Sequence, residues 1–155
     1  MADAKAPMIL IVEGRFYEDI AAELMRGAVA ALGEAGARHE SIAVPGAFEI
    51  PAAIRFALRA MERRPERYRF DGFVALGCVI RGETSHYDYV CSECARGLQE
   101  LAIGHDLALG FGVLTVDNAE QARVRADVAG TNKGGEVART CLRMIELKRH
   151  FMLDR

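Results

Sequence analysis

The sequence predicts an α/β protein: a three-layer α/β/α sandwich around a four-stranded, mainly parallel, doubly wound sheet. Three observations predict it. Short apolar runs alternate four times with longer segments of helical period. The runs are strand-length, and most are rich in β-branched residues. Each empties into a loop of polar residues or glycine, and runs that are apolar throughout suit a parallel sheet covered on both faces.

Residues 8–13 form the first expected strand. Residues 19–35 follow as a helix, with Ile20, Leu24, Ala28, Ala31 and Leu32 on one face and Gly36 ending it. The second strand is 39–44 and the second helix 50–62, where Pro51 is tolerable only in the first turn. The third strand, 73–80, is opened by Asp71-Gly72 and leads through a polar loop to a helix over 87–101. Residues 107–116 make the fourth strand. Asn118 opens a short helix to about Ala126, and the last helix is expected over 136–151. Residues 1–7 read as an irregular, disordered tail and 8–155 as one domain, since 155 residues suffice for a core without staples. The basic residues clustered from Arg59 to Arg69 are interrupted by acidic and apolar ones and read as a solvated helix end and loop.

Bulk properties exclude several function classes. A net charge of −2 without a long basic run argues against nucleic acid. No apolar run approaches the roughly 18 residues that span a bilayer, and no secretory signal is visible, so a cytoplasmic protein is expected. Cys78, Cys91, Cys94 and Cys141 lie in apolar or helical segments, which suits reduced, buried thiols. Cys91-Ser-Glu-Cys94 has metal spacing but no second Cys/His pair, and is expected to be structural.

Parallel strands share direction, so all four polar strand ends fall on one edge of the sheet, where ligands bind in open α/β folds. The third is the richest. Arg81-Gly-Glu-Thr-Ser-His86 joins a strand to a helix whose first N–H groups favour an anion, and His86 stands there as an acid/base group. Asp88 either supports it or only favours the helix start. Arg125 and Lys133 flank a loop and could grip one anion, or could simply be solvated cations. Phe16 and Phe48 follow glycines at strand ends, where either could pack in the core or offer a face to a planar ring. Glu49 could accept from ring N–H groups or favour a helix start.

Four motifs in order carry a resemblance. Val44-Pro-Gly-Ala-Phe-Glu-Ile-Pro51, Gly77-Cys-Val-Ile-Arg-Gly-Glu-Thr-Ser-His-Tyr-Asp-Tyr-Val90, Phe111-Gly-Val-Leu-Thr-Val-Asp-Asn-Ala-Glu-Gln-Ala122 and Asn132-Lys-Gly134 resemble the 6,7-dimethyl-8-ribityllumazine synthase family over nearly the whole chain. The resemblance implies a flavodoxin-like sheet and the penultimate step of riboflavin biosynthesis. There, 5-amino-6-(D-ribitylamino)uracil condenses with 3,4-dihydroxy-2-butanone 4-phosphate, releasing phosphate and water, without metal or organic cofactor. It implies His86 as general acid/base, and Gly82, Glu83 and Thr84 as the phosphate loop. Arg125 and Lys133 would grip phosphate, and Phe16 would stack on the pyrimidine. Ala47, Phe48, Glu49, Val79 and Ile80 would hold the ring and ribityl chain, and Phe111 would reach a neighbouring subunit's site. It further implies a homopentamer with sites between subunits, twelve pentamers making a 60-subunit shell in some members, and a functional link to riboflavin synthase.

Departures from the family pattern include Tyr17, where many relatives carry asparagine, and the absence of proline before Phe111. The loop 127–131 also differs, and it adjoins contacts associated with shell assembly. Two rivals remain: a paralogue that stores flavin or lumazine without making it, and a flavodoxin-like electron carrier. The second would need a phosphate cradle after the first strand, which Glu13-Gly-Arg-Phe16 does not supply.

Overall fold

The computed structural model describes residues 5–153. The expected tail falls mainly on residues 1–4, outside the described residues; Lys5 to Pro7 form no regular element, and the Pro7 carbonyl accepts from Arg38 N–H at 2.9 Å. In chain order the elements are β1 Met8–Gly14, α1 Glu18–Glu34, β2 Arg38–Val44, α2 Ile50–Arg63, β3 Gly72–Ile80, α3 His86–His105, β4 Leu109–Val116, α4 Ala119–Ala126 and α5 Lys133–His150. One 3-10 turn, Ala47–Glu49, precedes α2.

The sheet runs β2-β1-β3-β4 and every pair is parallel. Strand alternation sends Ile9, Ile11, Val74 and Leu76 to one face, against Leu24 and Ala28 of α1 and Val137, Ala138 and Cys141 of α5. Leu10, Val12, Phe73 and Ala75 face the other way, against Ile50, Ile54 and Leu58 of α2 and Cys94 and Leu98 of α3. These two apolar layers are the core of a three-layer sandwich. Burying each Leu, Ile or Phe is worth roughly 1.5–3 kcal/mol relative to leaving it exposed.

Two expectations need correction. The sheet is not covered on both faces throughout: β2 is exposed along nearly its whole length, Ile42 included at 41%. Its sequence, Arg-His-Glu-Ser-Ile-Ala-Val, is also the least apolar of the four strands. Second, α5 starts at Lys133, three residues before the expected Glu136, so Gly134 and Gly135 lie inside the helix. The reason is packing. A side chain at Gly134 would collide with the Leu24 carbonyl, so this glycine lets α5 lie directly on α1, while one at Gly135 would meet the Asn132 side chain that caps the helix.

Smaller differences have local causes. Helix α3 runs to His105, four residues beyond the expected end, and stops where Asp106 turns left-handed (φ 54°). The leading residues of the expected fourth strand, Leu107 and Ala108, precede β4, and the Ala108 carbonyl accepts from Phe73 N–H at 2.8 Å. Residues 64–71 form an exposed connection with Phe70 turned inward against Phe73. Cys78, Cys94 and Cys141 are buried free thiols as expected, whereas Cys91 is only half-buried. No helix among the described residues is long and apolar enough to cross a membrane.

Candidate active site

The four strand ends converge as the topology requires. After β1, Gly14 passes the Pro45-Gly46 turn so closely that a Cβ there would lie 2.7 Å from the Gly46 carbonyl carbon. Arg15 N–H donates to the Val44 carbonyl (3.2 Å), and Arg81 N–H to the Val116 carbonyl (2.9 Å), tying each loop to its neighbour strand.

A cavity of about 590 Å³ opens between these loops. Phe16 and Tyr17 bound it from the first loop, Ala47, Phe48 and Glu49 from the 3-10 turn, Val79 and Ile80 from β3, and Gly82, Thr84 and His86 from the third loop. Nine of the thirteen residues expected at the site thus share one concavity. Its floor is apolar and ring-sized, and its rim carries an acid/base group and a carboxylate. A second cavity, about 560 Å³, lies at the opposite end of the sheet beside Met8, Phe73 and Leu107.

Helix caps differ around this cavity. The helices that start at its rim, α1, α2 and α3, have no side-chain cap hydrogen bond. By contrast, Asn118 and Asn132 cap α4 and α5, accepting from Gln121 N–H and Gly135 N–H. A helix start without a side-chain cap leaves N–H dipoles for an incoming anion. At α3 the Thr84 hydroxyl oxygen accepts from His86 N–H (3.3 Å), which holds the loop against the helix.

Arg81 straps this loop from outside. Its guanidinium meets Asp117 at 3.0 Å and Asp88 at 3.6 Å and lies 4.3 Å from the Tyr87 ring centroid. The hydrogen bond to Asp117 raises its pKa further. Asp88 is therefore engaged with Arg81 in the first turn of α3. Burial pushes the Cys78 thiol up to about 11, so it presents a neutral S–H to the cavity rather than a nucleophilic thiolate. Burial also raises the Tyr17 and Tyr87 hydroxyls.

Four expected residues lie outside the cavity lining: Glu83, Phe111, Arg125 and Lys133. Arg125, in the last turn of α4, donates to the Gln121 carbonyl (3.0 Å), and Lys133 pairs with Glu136 (3.0 Å). The loop between them is internally tied, with Asn132 N–H on the Asp127 carbonyl and Val128 N–H on Glu23 of α1, both at 2.9 Å. Phe111 sits on the edge strand β4, 42% exposed. The lining also includes residues the sequence did not single out, among them Cys78, Tyr87, Tyr89 and Val90. Strand alternation could have found Cys78, two residues before Ile80.

A parallel sheet with an apolar cavity at its strand ends is the arrangement by which α/β proteins of the doubly wound class bind small molecules. A family model described as 6,7-dimethyl-8-ribityllumazine synthase matches residues 7–149. The chain is 51% identical over 146 residues to the 6,7-dimethyl-8-ribityllumazine synthase of Paramagnetospirillum magneticum, covering 94% of this chain and 97% of the relative. It is 54% identical over 151 residues to 6,7-dimethyl-8-ribityllumazine synthase 1 of Rhizobium meliloti, covering 97% of each. The corresponding protein of Agrobacterium fabrum is 53% identical over 143 residues, 92% of this chain and 95% of its own. The chain belongs to the 6,7-dimethyl-8-ribityllumazine synthase family, and it is a transferase of riboflavin biosynthesis.

Proposed function

We propose that 5-amino-6-(D-ribitylamino)uracil and 3,4-dihydroxy-2-butanone 4-phosphate condense to 6,7-dimethyl-8-ribityllumazine in the cavity beside His86. One observation carries this: the acid/base group, the loop at the helix start and the exposed aromatic rings bound a single concavity. Phe16 supplies the face on which the pyrimidine stacks, and Phe48, Val79 and Ile80 enclose the ring and ribityl chain. Glu49 accepts from polar hydrogens on them. The phosphate sits at the start of α3, against the N–H dipoles and the loop 82–84.

The chemistry needs proton movement more than nucleophilic power. The uracil amine adds to the butanone carbonyl, and loss of water gives an imine. Proton removal beside that imine expels phosphate, and attack by the ribityl-bearing nitrogen with loss of a second water closes the ring. His86, on the cavity rim, takes and returns the protons. Reactants held in one concavity meet as an intramolecular pair, which is a large share of what an enzyme can offer this condensation.

Arg125, Lys133 and Phe111 complete the site of an adjacent chain in a closed ring of five, working in the cytoplasm. In support, these side chains stand outside their own chain's cavity, on or near the β4 edge. At the opposite edge β2 offers an unpaired, exposed strand, and parallel strands are ordinarily covered. Phe56, Tyr89 and Ile103, each about 70% exposed, add apolar surface that a neighbour would cover.

Two measurements test this. Purified protein supplied with both substrates should produce lumazine absorbance and inorganic phosphate together above the uncatalysed rate. Folded, assembled protein without acceleration would favour a flavin-storing paralogue. Sedimentation should give about 85 kDa for five 17.0 kDa chains, and a monomer active at full rate would sink the shared site.

A further inference from the structure

Glu13 is the one buried charged side chain among the described residues, 7% exposed. It is the penultimate residue of β1, on the face shared with Ile9 and Ile11, registered between Ala43 of β2 and Leu76 of β3. A carboxylate in such a place is unfavourable unless it is paired and hydrogen-bonded. Its Oε1 accepts from Arg15 Nη1 at 2.8 Å, while its Oε2 is buried without a hydrogen-bond partner. The other arms of Arg15 reach Glu18, the first residue of α1, with Nε donating to Glu18 Oε2 at 2.9 Å. Arg15 therefore bridges the end of β1 and the start of α1, and its own N–H is fixed to the Val44 carbonyl.

Phe16 is the next residue. Its ring is 73% exposed at the cavity rim, touching Tyr17 edge-on with centroids 4.9 Å apart. A ring so exposed has little packing to fix its direction, so its aim depends on the backbone beneath it. That backbone lies between the two carboxylates that Arg15 joins.

We infer that Glu13 is a positioning residue for the pyrimidine substrate: through Arg15 it holds the 15–17 turn so that the Phe16 ring faces the cavity ready to stack. The inference rests on the proposed stacking role of Phe16. It assigns no proton transfer to Glu13, which does not line the cavity. A pre-oriented ring removes an ordering cost from substrate binding, so its loss falls on affinity rather than on the chemical step.

The test is steady-state kinetics of the assembled enzyme, varying 5-amino-6-(D-ribitylamino)uracil at saturating butanone phosphate. Glu13→Ala should raise KM about five-fold, the scale of one ordinary hydrogen bond and less than a charged one because Arg15 is still held by Glu18, and leave kcat within about two-fold. Glu13→Gln keeps an acceptor for Arg15 and should restore most of the affinity. In a Phe16→Ala background, which itself raises KM, Glu13→Ala should add nothing, because the two act through one ring. Unchanged KM in Phe16→Ala would overturn the stacking role, and this inference with it. A normal KM in Glu13→Ala, or a shift that adds to that of Phe16→Ala, would overturn the inference while leaving stacking intact. Should Glu13→Ala not assemble, Glu18→Ala cuts the same bridge from its exposed end and must raise KM in the same sense; an unchanged KM there overturns the inference.

Discussion

The cavity and the 125–133 segment are built from the same parts, a helix end or strand end, a polar loop and a helix start, yet they are finished differently. Around the cavity, α1, α2 and α3 begin without side-chain caps, and exposed Phe16 and Phe48 face open space. Around the segment, Asn132 caps α5, Arg125 and Lys133 find partners on their own helices, and Glu23 anchors the loop. One region has exposed ring faces and no N-cap side chain over its helix starts; the other has settled its hydrogen bonds locally. On the proposed reading, a single chain would hold an acid/base and ring-binding part of a site in one place and an anion-gripping part in another. Rigid, capped elements are well suited to present a charge to a neighbour, and helix starts without side-chain caps to receive a substrate.

The sharpest way to break this comparison is at His86. His86→Ala should lower turnover by about 10²- to 10⁴-fold, the range of general acid/base catalysis, with melting temperature and sedimentation unchanged. Unaltered turnover would remove His86 from the chemistry. The next experiment joins the two regions. His86→Ala and Arg125→Ala, each impaired alone, should regain activity when unfolded and reassembled together, because some interfaces then pair an intact His86 with an intact Arg125. Random mixing in a closed ring makes that fraction about a quarter. No recovery in verified mixed assemblies would place both residues in one chain's site.

A smaller effect sharpens the contrast in capping. Asn132→Ala removes a cap and places a Cβ-bearing residue without a polar side chain at φ 50°, so it should cost about 1–2 kcal/mol in chemical denaturation. Ser85→Ala should change stability by less than about 0.5 kcal/mol, since Ser85 makes no side-chain cap. Equal losses would mean that the caps do not differ in strength as the hydrogen bonds indicate.

The smallest effect concerns the thiols. Burial raises Cys78 from 9.0 to about 11, and Cys94 and Cys141 to about 12. Unfolded thiols lose protons first as pH rises, so the stability these groups confer is complete below pH 9 and is lost between pH 9 and about 12. The melting temperature should therefore fall across that window, and a disulfide reagent at pH 8 should modify half-buried Cys91 well before the other three. Rapid modification of all four in folded protein would show that the buried thiols are reachable.

Much of the fold was legible because its signals are local. Apolar runs such as Phe-Val-Ala-Leu marked strands, Pro51 marked a first turn, and Asn118 marked the start of α4. Gly134 and Gly135 misled, because glycine usually marks a break; Gly134 instead marks a close approach that depends on Leu24, far away in sequence. The extension of α3 past Leu101 was equally hidden, since its stop is a left-handed turn at Asp106 and not a glycine or proline. That His86, Phe16, Gly82 and Thr84 gather at one edge of the sheet was legible from their place after strand ends, and all four line the cavity. Tyr89 and Val90 were not, because helix residues line a cavity only once the helix has been docked.

The sequence by itself determined the alternation of strands and helices, the shared direction of the strand ends and the residue types that gather there. It did so because hydrophobic period and loop chemistry act over a few residues. Only the tertiary structure decided that β2 is an exposed edge, that Glu13 is buried beneath the Phe16 turn, and that Arg125 and Lys133 stand apart from the cavity. Those outcomes depend on which elements pack side by side. That packing depends on close approaches, such as those of α5 on α1 and of Gly14 on Gly46, between residues distant along the chain.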